Sequence, residues 1–218
     1  MTLVDYIGRY WAGAEIIYGV IIAMTFTSVL RETPGVLDVV MYRVALTALF
    51  CCIAWGIADG LFYSWERGYI VRQENRIIQL SKSAEQTESA IPLIGEQLDD
   101  TILRTIPPEE RRTLYQKLAE YLSRVDVLEK MTTRDSFAII GGTFLRSAGA
   151  GLVVVAPFFL MDDAGAALWV SNLLGILLLF GVGYTRSLDK RPLARITYGF
   201  GTSLLGFIIA GITVVLGG

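Results

Sequence analysis

The chain contains no histidine, and its only cysteines, Cys51 and Cys52, are adjacent. A Cys/His zinc centre needs ligands that this sequence does not have, and two neighbouring cysteines cannot staple a small fold. Both sit inside an apolar run and read as small apolar packing residues. Charge is scarce too: 18% of the 218 residues are Asp, Glu, Lys or Arg, against 53% hydrophobic. That leaves too little polar surface to cover a soluble globule of this size. The formal net charge is −2 and there is no basic tail, which removes the electrostatic footprint of a nucleic-acid binder. No GxSxG, Walker A, HExxH or paired-acid hydrolase motif is present, so the sequence carries no enzyme reading. The stretch from Met1 to Gly13 has neither a basic region before a short apolar core nor a small-x-small cleavage signature, and is expected to be retained.

What the sequence has in abundance is long apolar segments. A bilayer core takes about 20 mostly apolar helical residues, because every backbone polar group must be satisfied within the span. Five segments meet that test: Trp11 to Leu30, Met41 to Tyr63, Phe137 to Met161, Ala166 to Tyr184 and Ile196 to Leu216. The expected fold is therefore all-α, a polytopic membrane protein of five transmembrane helices with a helical cytoplasmic insert between the second and third. The expected domains are 1–66 with helices one and two, 67–135 for the insert, and 136–218 with helices three to five. Lys and Arg are concentrated in the insert and in the loop holding Arg186, Lys190, Arg191 and Arg195. By the positive-inside rule this places the N-terminus inside and the C-terminus outside. Asp162 and Asp163, between spans three and four, suit a helix N-terminus, and Pro34, Gly35 and Pro192 mark turns.

The insert is roughly 70 residues long, far beyond an ordinary connection, and is expected to form a small domain. Gly68 to Glu88 continues the second span as a helix with apolar positions at Ile70, Ile77, Ile78 and Leu80. A further helix begins at Thr105-Ile106-Pro107-Pro108-Glu109-Glu110, where proline and early acids are start signals. Its expected buried stripe is Leu114, Leu118, Tyr121, Leu122, Val125 and Leu128. Glu96, Asp99 and Asp100 share a helical face, as do Glu85 and Glu88. Such oxygen-rich clusters can gather divalent cations, while a balanced set of acids and bases can equally be a solvated face.

Ionisable groups at membrane depth are costly and mark functional sites by default. Glu15 lies in the first span, Asp59 and Glu66 at the inner end of the second, and Arg146 in the third. At 1.5 Å per residue their depths agree near the inner leaflet. Asp59 and Glu66 lie on one helical face with Tyr63 between them. With Glu15 they would form a hard-oxygen site for Mg²⁺, Mn²⁺ or Fe²⁺, and Met24 would add a soft ligand to the path. Two other readings stand beside this one. Arg146 pairs with Glu15 or Asp59 and locks the helices together, or Glu66, next to Arg67, reaches to interfacial water. Asn172 in the fourth span reads as an interhelical hydrogen-bonding residue. Gly199, Gly201, Gly206 and Gly211 in the fifth, with Gly141, Gly142, Gly149 and Gly151 in the third, read as points of close helix approach.

Taken together, these segments resemble the vacuolar iron transporter family, in particular its divergent bacterial branch. The resemblance rests on the five spans with an insert after the second, on Ala14-Glu15-Ile16-Ile17-Tyr18-Gly19-Val20-Ile21-Ile22-Ala23-Met24-Thr25-Phe26-Thr27, and on Ala54-Trp55-Gly56-Ile57-Ala58-Asp59-Gly60. Ala156-Pro157-Phe158-Phe159-Leu160, Val170-Ser171-Asn172 and Leu216-Gly217-Gly218 add to it. It implies a homodimer in a bacterial cytoplasmic membrane that exchanges cytosolic Fe²⁺ or Mn²⁺ for protons, with the metal as cargo and no tightly bound cofactor. By position Asp59 resembles the second-span carboxylate of the path and Glu15 lies near the first-span one. No methionine follows closely after Asp59, and the insert lacks a dense Glu/Met array. Five helices cannot divide into two equal repeats, so a path between two copies is the natural arrangement. The expectation from a different class is a non-transporting membrane scaffold whose insert binds a protein partner and whose charges form a closed Arg–carboxylate network.

Overall fold

The computed structural model of the chain describes residues 2–32, 38–83, 87–126 and 128–215. Pro34, Gly35, Glu85 and the terminal Leu216-Gly217-Gly218 lie outside the described residues. Among the described residues all regular structure is helical. The helices are α1 (Leu3–Ser28), α2 (Asp38–Ser81), α3 (Thr87–Leu98), α4 (Pro108–Leu122), α5 (Thr133–Val155), α6 (Pro157–Leu160), α7 (Ala164–Arg186) and α8 (Pro192–Val215), with short 3-10 turns at Val29–Glu32 and Ile102–Thr105.

Four of these, α1, α2, α5 and α7, are long and apolar enough to cross a membrane, as expected for an integral membrane protein. The fifth expected segment falls largely within α8. Two helices depart from the continuous spans that the sequence suggests. Inside α1, Gly8 has φ 78° and ψ 161°, a left-handed conformation that a Cβ would strain, so the regular helix restarts after it. The third expected span, Phe137 to Met161, is divided: α5 stops at Val155 and α6 opens on Pro157. Proline has no N–H to give, and its ring crowds the carbonyl four residues back. The start of α7 is secured by Asp163, whose carboxylate accepts from the Ala166 N–H at 2.6 Å.

The chain divides into two compact units, one of Met1–Ser64 with Arg134–Gly218 and the other of Trp65–Thr133. The core of the first unit is built from Val20, Ala23 and Met24 of α1, Ala45, Ala48 and Cys52 of α2, Ala150 and Val154 of α5, Phe158 of α6, and Ala167 and Leu179 of α7. Large apolar side chains such as Phe50, Phe62, Leu145, Trp169 and Phe200 are exposed, as lipid-facing residues would be. Helices gain little from the hydrophobic effect when the alternative solvent is lipid, so close packing must hold them. Close approaches to α5 occur at Gly19, where an added Cβ would clash with the Ser147 carbonyl oxygen, and at Gly60, where it would come 2.6 Å from the Ile140 Cα. Gly56 is similar, at 2.9 Å from the Phe144 Cα. These glycines bring α1 and α2 against α5. Of the glycines singled out from the sequence, Gly142, Gly151, Gly199 and Gly206 do face close neighbours, whereas Gly141, Gly149, Gly201 and Gly211 face open space. Cys52 donates its thiol proton to the Gly19 carbonyl at 3.3 Å and packs in the core.

The second unit packs α3 and α4 on the later part of α2. Its nucleus is Ile77, Ile91, Ile94, Tyr115 and Ala119; a fully buried Ile contributes about 1.5–3 kcal/mol relative to leaving it exposed. The face of α4 differs from the expected stripe. Tyr115 and Ala119 are buried, with Leu118 and Leu122 packed beside them, while Leu114 and Tyr121 are exposed. The cause is a polar tether, since the Tyr115 hydroxyl donates to Asp99 at 2.7 Å and turns that face inward. Val125 and Leu128 lie beyond the end of α4.

Candidate functional site

On α2, Trp55, Asp59 and Tyr63 recur every four residues and so stand on one face. On α1, Trp11, Glu15 and Tyr18, spaced by four and then three residues, also share a face. The two faces meet as a ladder. Trp11 lies 6.5 Å from Tyr63 between ring centres, and Tyr18 lies 5.9 Å from Trp55 edge-on. Between these aromatic rungs sit the two acids. Glu15 is fully buried, at 0% exposure, and its Oε1 accepts from the Tyr63 hydroxyl at 3.1 Å. Its other oxygen, Oε2, is buried and has no hydrogen-bond donor among the described residues. Asp59 is half-buried, shares the α2 face of Trp55 and Tyr63, and is near enough for its charge to act on Glu15. Sequence reasoning found the acids and placed Tyr63 beside them, but missed Trp11, Tyr18 and Trp55. Their three- and four-residue spacing from the acids was the available signal.

Arg146 stands on α5, near enough for its charge to act on Glu15. Among the described residues, however, it forms no ion pair with Glu15 or Asp59. Its guanidinium Nη1 donates instead to the Gly142 carbonyl at 3.2 Å, one turn back on its own helix. The neighbouring Ser147 is fully buried and donates to the Cys52 carbonyl at 2.9 Å. Met24 is 2% exposed and packs in the apolar core, where its sulfur lies against Gly175. It stands nine residues beyond Glu15, roughly 13 Å along the helix axis, and so not in the same shell. Glu66 is exposed and belongs to the second unit.

Of the insert acids singled out from the sequence, Asp99 and Glu88 are engaged by bases. Asp99 accepts from Arg111 at 2.7 Å and from Tyr115, and this bond to a carboxylate holds the Tyr115 hydroxyl above its ordinary pKa. Glu88 lies 3.6 Å from Arg112. Glu96 lines an apolar recess with Tyr69, Ile77 and Leu93, and Asp100 is exposed past the end of α3. Among the described residues, no three or more His, Cys, Asp or Glu side chains come together as a metal-holding group. The arrangement that stands out is a pair, Glu15 with Asp59. Set beside protein-family models, curated proteins and solved structures, the chain matches none.

Proposed function

We propose that the chain is a five-span membrane transporter for a divalent metal cation, Fe²⁺ or Mn²⁺, exporting it from the cytoplasm in exchange for protons as a homodimer. In this reading α8 is the fifth span, and the bases of the insert and of the α7–α8 turn keep both on the cytoplasmic side of a bacterial inner membrane. One observation carries the reading: Glu15 is fully buried with the Tyr63 hydroxyl as its donor, Asp59 stands near enough for its charge to act on it, and neither forms an ion pair with a base among the described residues. Like charges close together repel strongly away from water unless a proton or a metal cation lies between them. The same pair can therefore hold either cargo but not both at once, which is the requirement for exchange. The orphan Oε2 of Glu15 is the open ligand position. Hard cations such as Mn²⁺ take up to six oxygen ligands, and a second copy of the chain would double the two that one protomer offers.

The competing reading is a non-transporting scaffold whose charges form a closed structural network. It draws on the pairwise, rather than threefold, grouping of the acids. Against it stands Arg146, which is turned to its own helix instead of to Glu15 or Asp59. The test is reconstitution in vesicles with a proton gradient and a series of divalent ions. Uptake of Fe²⁺ or Mn²⁺ that is lost in Asp59→Asn supports the transporter. Absence of flux for every ion in the wild type rejects it. Recovery of a destabilised Arg146→Ala by an added Asp59→Asn would establish the scaffold network.

A further inference from the structure

The turn between α7 and α8 is crowded with cations that the transport site does not use. Arg186, Lys190, Arg191 and Arg195 lie within ten residues, with Asp189 as the lone acid. Arg195 is spent on the turn itself, donating to the Lys190 carbonyl at 2.9 Å and to the Leu188 carbonyl. Arg186 lies over the Tyr10 ring, its guanidinium carbon 3.6 Å from the ring centre. Its stem crosses α1 at Gly13, where a Cβ would come 2.9 Å from Arg186 Cδ. In that position its Nη2 is shielded from solvent and has no acceptor among the described residues. A shielded guanidinium N–H without an acceptor is costly, and the usual remedy is an oxyanion. Lys190 is held only loosely, 3.9 Å from Asp189 and 5.3 Å from the centre of the Tyr198 ring. Arg191 is exposed and forms no ion pair among the described residues.

What surrounds these cations distinguishes the anion. Tyr10 is 66% exposed, Tyr198 52% and Leu193 77%, so the charges are set in aromatic and apolar side chains. Amphipathic aromatics of this kind belong at the membrane interface, and basic pockets between membrane helices take lipid headgroups. From this geometry we infer that Arg186, Lys190 and Arg191, backed by Tyr10, bind the headgroup phosphate of an anionic phospholipid, whose acyl chains lie along Leu193 and Tyr198. The site is independent of the Glu15–Asp59 pair and of any ion that passes there.

The experiment measures binding of fluorescent phosphatidylglycerol to the full-length protein in an uncharged detergent. Unlabelled phosphatidylglycerol displaces the probe, while phosphatidylcholine and inorganic phosphate do not. Replacing both exposed cations, Lys190→Gln with Arg191→Gln, weakens binding about twenty-five-fold, roughly fivefold for each cation removed near a membrane surface. The melting temperature without lipid stays at the wild-type value, since neither side chain packs in the core. Arg186→Gln weakens binding as well. Equal displacement by phosphatidylcholine, displacement by inorganic phosphate alone, or wild-type affinity in the double variant would each overturn the inference.

Discussion

The ion pairs of the insert and the Glu15–Asp59 region of the other unit show two ways of placing an acid. In the insert, several acids are met by bases: Asp99 by Arg111 at 2.7 Å, Glu129 by Arg67 at 3.1 Å, Glu88 by Arg112 at 3.6 Å and Asp126 by Lys82 at 3.7 Å. In the other unit, Glu15 is met by the Tyr63 phenol with Asp59 near it, and neither acid forms an ion pair among the described residues, although Arg146 stands close by. The chain has 21 acids and 19 bases, so bases are not in short supply. Pairing at a wet surface is cheap and worth little, whereas leaving two acids together in an apolar surround is costly and must be offset elsewhere. On the proposed reading, the difference separates charges that serve solubility and packing from a pair that would hold a cation.

Breaking the acid pair should have the largest effect. Glu15→Gln or Asp59→Asn is expected to lower metal flux in vesicles more than tenfold, as loss of a ligand charge at membrane depth implies, with the protein still folded. In the insert, Ile94→Ala opens a cavity at a residue 2% exposed and is expected to cost about 2–5 kcal/mol. Denaturant melting followed by a probe in the insert checks it. Gly19→Ala forces a methyl against the Ser147 backbone and is expected to cost about 1–3 kcal/mol by overpacking, read as a lower melting temperature of the whole protein in detergent.

A smaller effect sharpens the insert side of the contrast. The Tyr115 hydroxyl is raised above its ordinary value of 10.0 by its bond to Asp99. Its contribution to stability is therefore fully present below that pH and is lost as the pH rises through the higher value of the folded protein. Insert melting should fall on the alkaline side, and Tyr115→Phe should remove that step. The smallest effect is that of Arg112→Gln, whose pair with Glu88 is well exposed on both sides. It is expected to change stability by no more than about 1 kcal/mol.

Much of the helical framework can be read from the residues, because apolar length and helix-start chemistry are local. α4 opens at Pro108, where two prolines and two acids stand together, and Asp163 caps α7 just ahead of its apolar run. The break at Pro157 was equally visible but was outweighed by an apolar stretch that continued past it. The inward face of α4 depends on Tyr115 reaching Asp99, a contact that periodicity within one helix cannot contain. The same holds for the site. Rare charges in apolar runs point to Glu15 and Asp59, whereas the aromatic ladder and the turn of Arg146 toward Gly142 depend on how α1, α2 and α5 pack. Gly19, Gly56 and Gly60 are what permit that packing, and each looks ordinary until its neighbour on α5 is known.

The central claim is that Glu15 and Asp59 are kept without a base so that a cation can lie between them. Equilibrium titration of purified protein with Mn²⁺ tests this most directly. The wild type should bind Mn²⁺ saturably and release protons as it does, and Asp59→Asn should lose both signals while retaining its melting temperature. Equal Mn²⁺ binding by wild type and Asp59→Asn, or none by either, would contradict it.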